Sequence, residues 1–139
     1  MKYRIPSVLI PALVASAVFA QPNPAQVPVL TPSGLAYLSL QEGNGKSPGP
    51  ADVVKVHYRG TFPDGREFDS SYKRNAPIEF PLNGVIKCWT EGVQRMKVGG
   101  KARLTCPPAI AYGERGAGNV IPPNATLQFE IELLGVTSR

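Results

Sequence analysis

Chemistry-bearing residues are scarce in this 139-residue chain. It holds a single histidine, His57, and two cysteines, Cys88 and Cys106. No P-loop, no H-E-x-x-H and no G-x-G-x-x-G opening a helix occurs, so nucleotide, zinc-hydrolase and dinucleotide chemistry lack a signature. Ser70 and Asp69 could be borrowed for a triad with His57, but no G-x-S-x-G elbow positions them, and a lone strand histidine is ordinarily structural. The cysteine spacing is neither C-x-x-C nor a zinc pattern, so no metal and no cofactor is expected. Ten acidic residues supply carboxylates, yet nothing singles out a pair for glycoside hydrolysis. Charge is sparse, at 18%, and the basic residues are scattered, with Lys73-Arg74 and Lys101/Arg103 the densest pairs. A nucleic-acid surface is therefore not expected. An enzyme built from this chain works without nucleophile, metal or cofactor.

Long hydrophobic runs are almost as scarce. The one at Ile5–Ala20 follows Lys2 and Arg4, falls short of the roughly 20 residues of a membrane span, and is interrupted by Pro6 and Pro11. It ends in Val18-Phe19-Ala20, with small residues at the positions a signal peptidase reads. Residues 1–20 thus read as a secretory signal peptide, with the protein exported to a periplasm or secreted and no membrane anchor left after cleavage. Export permits a disulfide between Cys88 and Cys106. Two buried free thiols, packing as small hydrophobes, are the other reading of that pair.

Proline and glycine are what the chain has in excess, 15 and 14 residues, which argues against a helical bundle. Residues 21–33 hold four prolines and no charge and read as an extended tail or linker. A single domain is expected over 34–137. Strands are expected at Leu35–Leu40 (with Ala36, Leu38 and Leu40 on one face), Val53–Phe62, from Glu67, at Lys101–Cys106 and at Thr126–Leu134. Pro63-Asp64-Gly65 reads as a hairpin turn, and residues 70–81 read as polar and irregular. Trp89, Val93 and Met96 form an apolar stripe at helical spacing, so one short helix is expected over Val85–Met96, stopped by Gly99-Gly100. Too short to survive alone, it must pack on the sheet. The fold class is α+β.

What remains for function is aromatic residues beside loops: Tyr58, Phe68, Trp89, Tyr112 and Phe129. Each is compatible with an ordinary core. Together they are compatible with a concave aromatic pocket carrying a few polar groups.

The sequence also carries a resemblance. Val56-His57-Tyr58-Arg59-Gly60, Asp64-Gly65-Arg66-Glu67-Phe68-Asp69-Ser70-Ser71, Val85-Ile86 followed by Trp89, Tyr112-Gly113, Ile121-Pro122-Pro123-Asn124-Ala125-Thr126-Leu127 and Glu132-Leu133-Leu134 occur in that order. Over about residues 34–136 the chain resembles the FKBP family of peptidyl-prolyl cis/trans isomerases. The resemblance implies a twisted antiparallel sheet half-wrapped around one short helix, with a pocket between them for a proline ring. It implies Trp89 as pocket floor and Tyr58, Phe68 and Phe129 as walls. Val85, Ile86 and Ile121, with Ile78 and Val120, would complete the substrate-binding lining. Asp69 and Tyr112 would be the polar groups, with Arg74 paired to Asp69. The substrates implied are X–Pro segments of unfolded or partly folded exported proteins, and macrolides of the rapamycin and tacrolimus type are the implied inhibitors. A non-catalytic proline-segment binder or holdase using the same pocket is the alternative. No long helical segment precedes the domain, so a monomer is expected. Four departures stand out: Ile78 where a second aromatic is usual, Cys88 where glycine commonly precedes the Trp, a short stretch between Phe80 and Val85, and no aromatic or histidine in Glu114–Asn119.

Overall fold

The computed structural model describes residues 27–138; the segment read as a signal peptide, 1–20, and the start of the Pro-rich tail, 21–26, lie outside them. Seven strands and one α-helix follow in the order β1 (Val29–Leu30), β2 (Ala36–Gln41), β3 (Val53–Thr61), β4 (Glu67–Ser70), β5 (Ile78–Pro81), α1 (Lys87–Val93), β6 (Lys101–Cys106) and β7 (Leu127–Thr137). All pairings are antiparallel, and the sheet order is β1-β2-β6-β7-β3-β4, with β5 sharing the outer edge of β3 with β4.

Alternation explains the three central strands. In β3, Val54, Val56 and Tyr58 are buried while Lys55 and Arg59 face water; in β7, Leu127, Phe129, Ile131 and Leu133 are buried. In β6 the buried set is Ala102, Leu104 and Cys106. Register aligns these faces, with Tyr58 opposite Ile131 and Leu104 opposite Phe129, so one side of the sheet is continuously apolar. A bulge at Leu134 ends the alternation, because Val56 pairs with Leu133 but Lys55 with Gly135.

Three expectations about the strands are corrected. The sheet takes in Val29–Leu30, which the sequence reading placed in the tail, through pairing with Tyr37 and Ala36. Leu40 is exposed and Leu35 fully buried, so the even-numbered residues of β2 do not form its core face. Ile78–Pro81 is a strand rather than irregular chain.

The helix is shorter than expected at both ends. Val85 (φ −130°, ψ 178°) and Ile86 (φ −61°, ψ 150°) are extended, as suits β-branched residues. After Val93 the chain tightens through Arg95 N–H to Gly92 O and Met96 N–H to Val93 O, which keeps Met96 buried. Seven residues do not hold a helix in water, so α1 depends on its seat. Cys88 and Gly92 are four apart on one helix face and meet Leu104 and Cys106, two apart on one strand face. A Cβ on Gly92 would lie 2.3 Å from Leu104 Cδ2, so only glycine allows this approach. A disulfide joins Cys88 to Cys106, with Cα atoms 5.8 Å apart.

Between β4 and β5 the chain leaves the edge of β3. Ser70 pairs with Arg59 and Ile78 with Val56, so eight residues of chain pass three of β3. Buried Ser71 satisfies the interrupted ladder: its N–H donates to Tyr58 O at 3.0 Å, and its Oγ accepts the Tyr58 N–H at 2.7 Å. This excursion carries Arg74 back to Asp69, which β4 holds opposite Gly60 at the mouth of the space between sheet and helix.

Candidate functional site

A cavity of about 580 Å³ opens between α1 and the concave face of the sheet. Its floor is Trp89, which α1 holds in T-shaped contact with Tyr58 and Phe129 and tilted against Phe80. The ring centroids of Phe129, Phe80 and Tyr58 lie 5.1, 5.2 and 5.3 Å from that of Trp89, with the Phe129 pair perpendicular. Phe68 adds a further wall, 5.7 Å from Phe129 and nearly perpendicular to it. Gly60 makes that corner possible, since a Cβ there would meet Phe68 Cζ at 2.6 Å and Phe129 Cε1 at 3.0 Å. The indole Nε1 of Trp89 is buried and has no hydrogen-bond acceptor among the described residues.

One polar corner interrupts this apolar lining. The Tyr58 hydroxyl donates to Asp69 Oδ2. Arg74 Nη1 donates to Asp69 Oδ1 at 2.6 Å, and Nη2 to the Tyr58 hydroxyl at 2.9 Å. The Ser70 N–H also donates to Asp69 Oδ1, at 2.9 Å. Partial burial pushes the Asp69 carboxyl up, but the hydrogen bonds from Tyr58, Arg74 and Ser70 outweigh it and hold the group below its ordinary 3.8. Burial, then the hydrogen bond to Asp69, raises the Tyr58 phenol above its ordinary 10.0. Hydrogen bonding to Asp69 raises the Arg74 guanidinium further. The corner therefore presents an ionised carboxylate whose lone pairs are already largely engaged.

Tyr112 stands at the opposite rim, half-exposed, just after a 3-10 turn at Pro108–Ile110. Its hydroxyl makes no hydrogen bond among the described residues. The Ile86 N–H, just ahead of α1, is likewise without a protein acceptor among them. Two donors thus border the aromatic cavity with no partner of their own among the described residues.

The structure brings together nine of the residues singled out from sequence: Tyr58, Phe68, Asp69, Ile78, Val85, Ile86, Trp89, Tyr112 and Phe129 all line the cavity. Arg74 stands behind Asp69. Ile121 is buried outside the lining, bonded both ways to Ala117, and Val120 is 54% exposed and away from the cavity. Phe80 is a wall that sequence reading missed. The alternation Ile78-Glu79-Phe80, with Ile78 and Phe80 half-buried and Glu79 exposed, was the available signal. His57 is outside the lining: its Nδ1 is 2.8 Å from Ser71 Oγ, and its ring stacks on Tyr72. Burial, then a hydrogen bond to Glu132, pushes the Tyr72 phenol up to about 12.

The model of the FKBP-type peptidyl-prolyl cis-trans isomerase family matches residues 44–134. The chain is 50% identical over 104 residues to the FKBP-type peptidyl-prolyl cis-trans isomerase FkpA of Escherichia coli (strain K12). That alignment covers 75% of this chain and 38% of the relative, so the chain spans well under half that relative's length. The crystal structure of FkpA from Escherichia coli superposes with a TM-score of 0.78 at 44% identity, over 89% of this chain and 56% of that one. A peptidyl-prolyl cis-trans isomerase from Pseudomonas syringae pv. tomato superposes with a TM-score of 0.75 at 35% identity, over 93% of this chain and 99% of that one.

Proposed function

The chain belongs to the FKBP-type peptidyl-prolyl cis-trans isomerase family, and from that premise we propose that it accelerates rotation about X–Pro bonds in exported polypeptides. The observation that carries the reading is the Trp89-floored aromatic cavity, large enough for a pyrrolidine ring with its adjoining backbone and bordered by the two unengaged donors of Tyr112 and Ile86.

The physics asks for little more. Resonance sets a barrier of about 18–20 kcal/mol to peptide rotation. The X–Pro bond is nearly balanced between isomers but exchanges in tens to hundreds of seconds. Twisting the amide breaks the resonance, so its charge separation falls and a dry apolar site suits the twisted form better than water does. The catalyst has only to bind that form more tightly than the planar ones, each 1.36 kcal/mol of difference giving about tenfold in rate. No proton leaves and no covalent bond forms, which agrees with the empty inventory of nucleophiles. In this reading Trp89, Tyr58, Phe68, Phe80 and Phe129 hold the ring and exclude water. The Tyr112 hydroxyl and the Ile86 N–H hold carbonyls of the substrate. Asp69, fixed by Arg74 and Tyr58, faces the twisting amide. Macrolides of the rapamycin and tacrolimus type would compete for the same space.

A protease-coupled assay on an X–Pro tetrapeptide tests the proposal, and a rate equal to that of buffer refutes it. In that assay Tyr112→Phe lowers kcat/KM by about three- to tenfold, the worth of one hydrogen bond. The wild-type rate is flat from about pH 5 to pH 9, because Asp69 ionises below 3.8 and Tyr58 above 10.0. The sign follows from the lowered carboxyl. The stability that ionised Asp69 contributes is complete above its unfolded value and is lost as pH falls through the lower folded one. An activity loss already complete at pH 5 contradicts this assignment.

Export is proposed from the basic start, apolar run and small-residue site of residues 1–20. Cell fractionation tests it, and a mature chain retaining residue 1 in the cytosol opposes it.

A further inference from the structure

A second depression of about 700 Å³ lies beside the proline cavity, on the flank of α1. Val85 belongs to the walls of both, so the two spaces adjoin at that residue. Buried Ile110 contributes an apolar floor, and Asn83, Lys87 and Glu91 form the rim. Across the groove Ser33 donates to Glu91 Oε1 at 2.5 Å, tying the turn after β1 to the helix. Lys87 is exposed and has no acidic partner among the described residues, so its three donors remain available.

We propose that this groove is a second subsite for the same polypeptide substrate, taking an apolar side chain and the adjoining backbone of the segment that flanks the proline. The proposal rests on the isomerase reading of the neighbouring cavity. A proline inside a chain must leave its pocket in two directions. A chain that leaves over Val85 arrives directly in the groove, where Val85 and Ile110 offer apolar contact and Lys87 and Asn83 offer donors to backbone carbonyls. Ser33 engages Glu91 Oε1 and leaves Oε2 as an acceptor for a backbone N–H, beside the donors of Lys87 and Asn83. A tetrapeptide fills the proline cavity and little else, whereas an unfolded protein engages both spaces. The groove would therefore raise the affinity for long clients without altering the chemistry of rotation, an effect of linked subsites.

The test compares wild type with Asn83→Trp, which fills the mouth of the groove, and with Lys87→Glu. Neither residue lines the proline cavity. Substrates are an X–Pro tetrapeptide, a twelve-residue peptide with the same X–Pro centre and apolar flanks, and a reduced, carboxymethylated ribonuclease whose refolding waits on a prolyl bond. We expect tetrapeptide kcat/KM within twofold of wild type for both variants. On the long peptide and the refolding protein it falls about tenfold for Asn83→Trp and about threefold for Lys87→Glu, mainly through KM. Equal losses on all three substrates would show a purely structural effect and overturn the subsite, as would no loss on the long ones. A wild type without tetrapeptide activity would instead remove the isomerase reading, a separate failure.

Discussion

Replacing Trp89 with alanine will remove most of the proposed isomerase activity and lower stability by about 3–5 kcal/mol, the usual range for deleting a buried Trp. Trp89 is 6% exposed and lies within 5.3 Å, centroid to centroid, of three other rings. Truncation thus opens a void beneath Tyr58, Phe80 and Phe129 and also forfeits the T-shaped contacts with Tyr58 and Phe129, worth about 0.5–1.5 kcal/mol each beyond their area. Domains of this size have about 5–15 kcal/mol in total, so the variant remains folded but marginal, which near-ultraviolet dichroism and denaturant unfolding will register. Trp89→Leu separates the two roles. It refills part of the volume and so recovers stability, but it supplies no flat floor for a proline ring. We expect kcat/KM on the tetrapeptide to fall at least tenfold in both variants while the unfolding midpoint recovers only in Trp89→Leu. An alanine variant that keeps wild-type kcat/KM would exclude Trp89 from the site.

Much of this floor was legible in the sequence because it follows periodic rules. β6 occupies Lys101–Cys106, where charged and apolar residues alternate, and the inward set of β7 is Leu127, Phe129, Ile131 and Leu133. Phe129 and Tyr58 are therefore placed by period 2 and Trp89 by period 3.6. Periodicity loses its hold where something else sets the backbone. Val85 and Ile86 continue an apolar pattern that looks helical, yet their backbone is extended, and both line the cavity. Phe80 was hidden in a four-residue strand that is preceded by one proline and ends in another. In the long loop the path is governed by positive φ at Gly113, Gly116 and Gly118 and by the Ala117–Ile121 bridge. That bridge turns Ile121 inward and leaves Val120 in water, an outcome no hydrophobic pattern encodes. The network of Tyr58, Asp69 and Arg74 depends on the excursion closed by Ser71, whose hydroxyl stands in for a strand partner. Ser71 reads in the sequence as one more polar loop residue.

The disulfide carries the second large effect. Cys88 and Cys106 are 18 residues apart in sequence, and closing a loop of that size in the unfolded chain is worth about 3 kcal/mol. The double variant Cys88→Ala/Cys106→Ala should therefore lose about that much and melt roughly 10–15 °C lower. Both cysteines are fully buried, so in the folded protein a mild reductant will act slowly, and the loss will appear only after unfolding. The compartment enters here. Chain produced in a reducing cytosol without residues 1–20 should titrate two thiols when denatured and unfold at the midpoint of the double variant. Exported chain should titrate none and unfold at the higher midpoint. Coincident midpoints, or two thiols in denatured exported protein, would show that the bond contributes nothing. The activity loss should be smaller than the stability loss at temperatures well below melting, for a geometric reason. Cys88 adjoins Trp89 but lies on the face of α1 that meets β6, where Gly92 already fixes the approach to Leu104. Removing the bond deepens the cost of keeping α1 docked without moving the indole that α1 presents to the cavity.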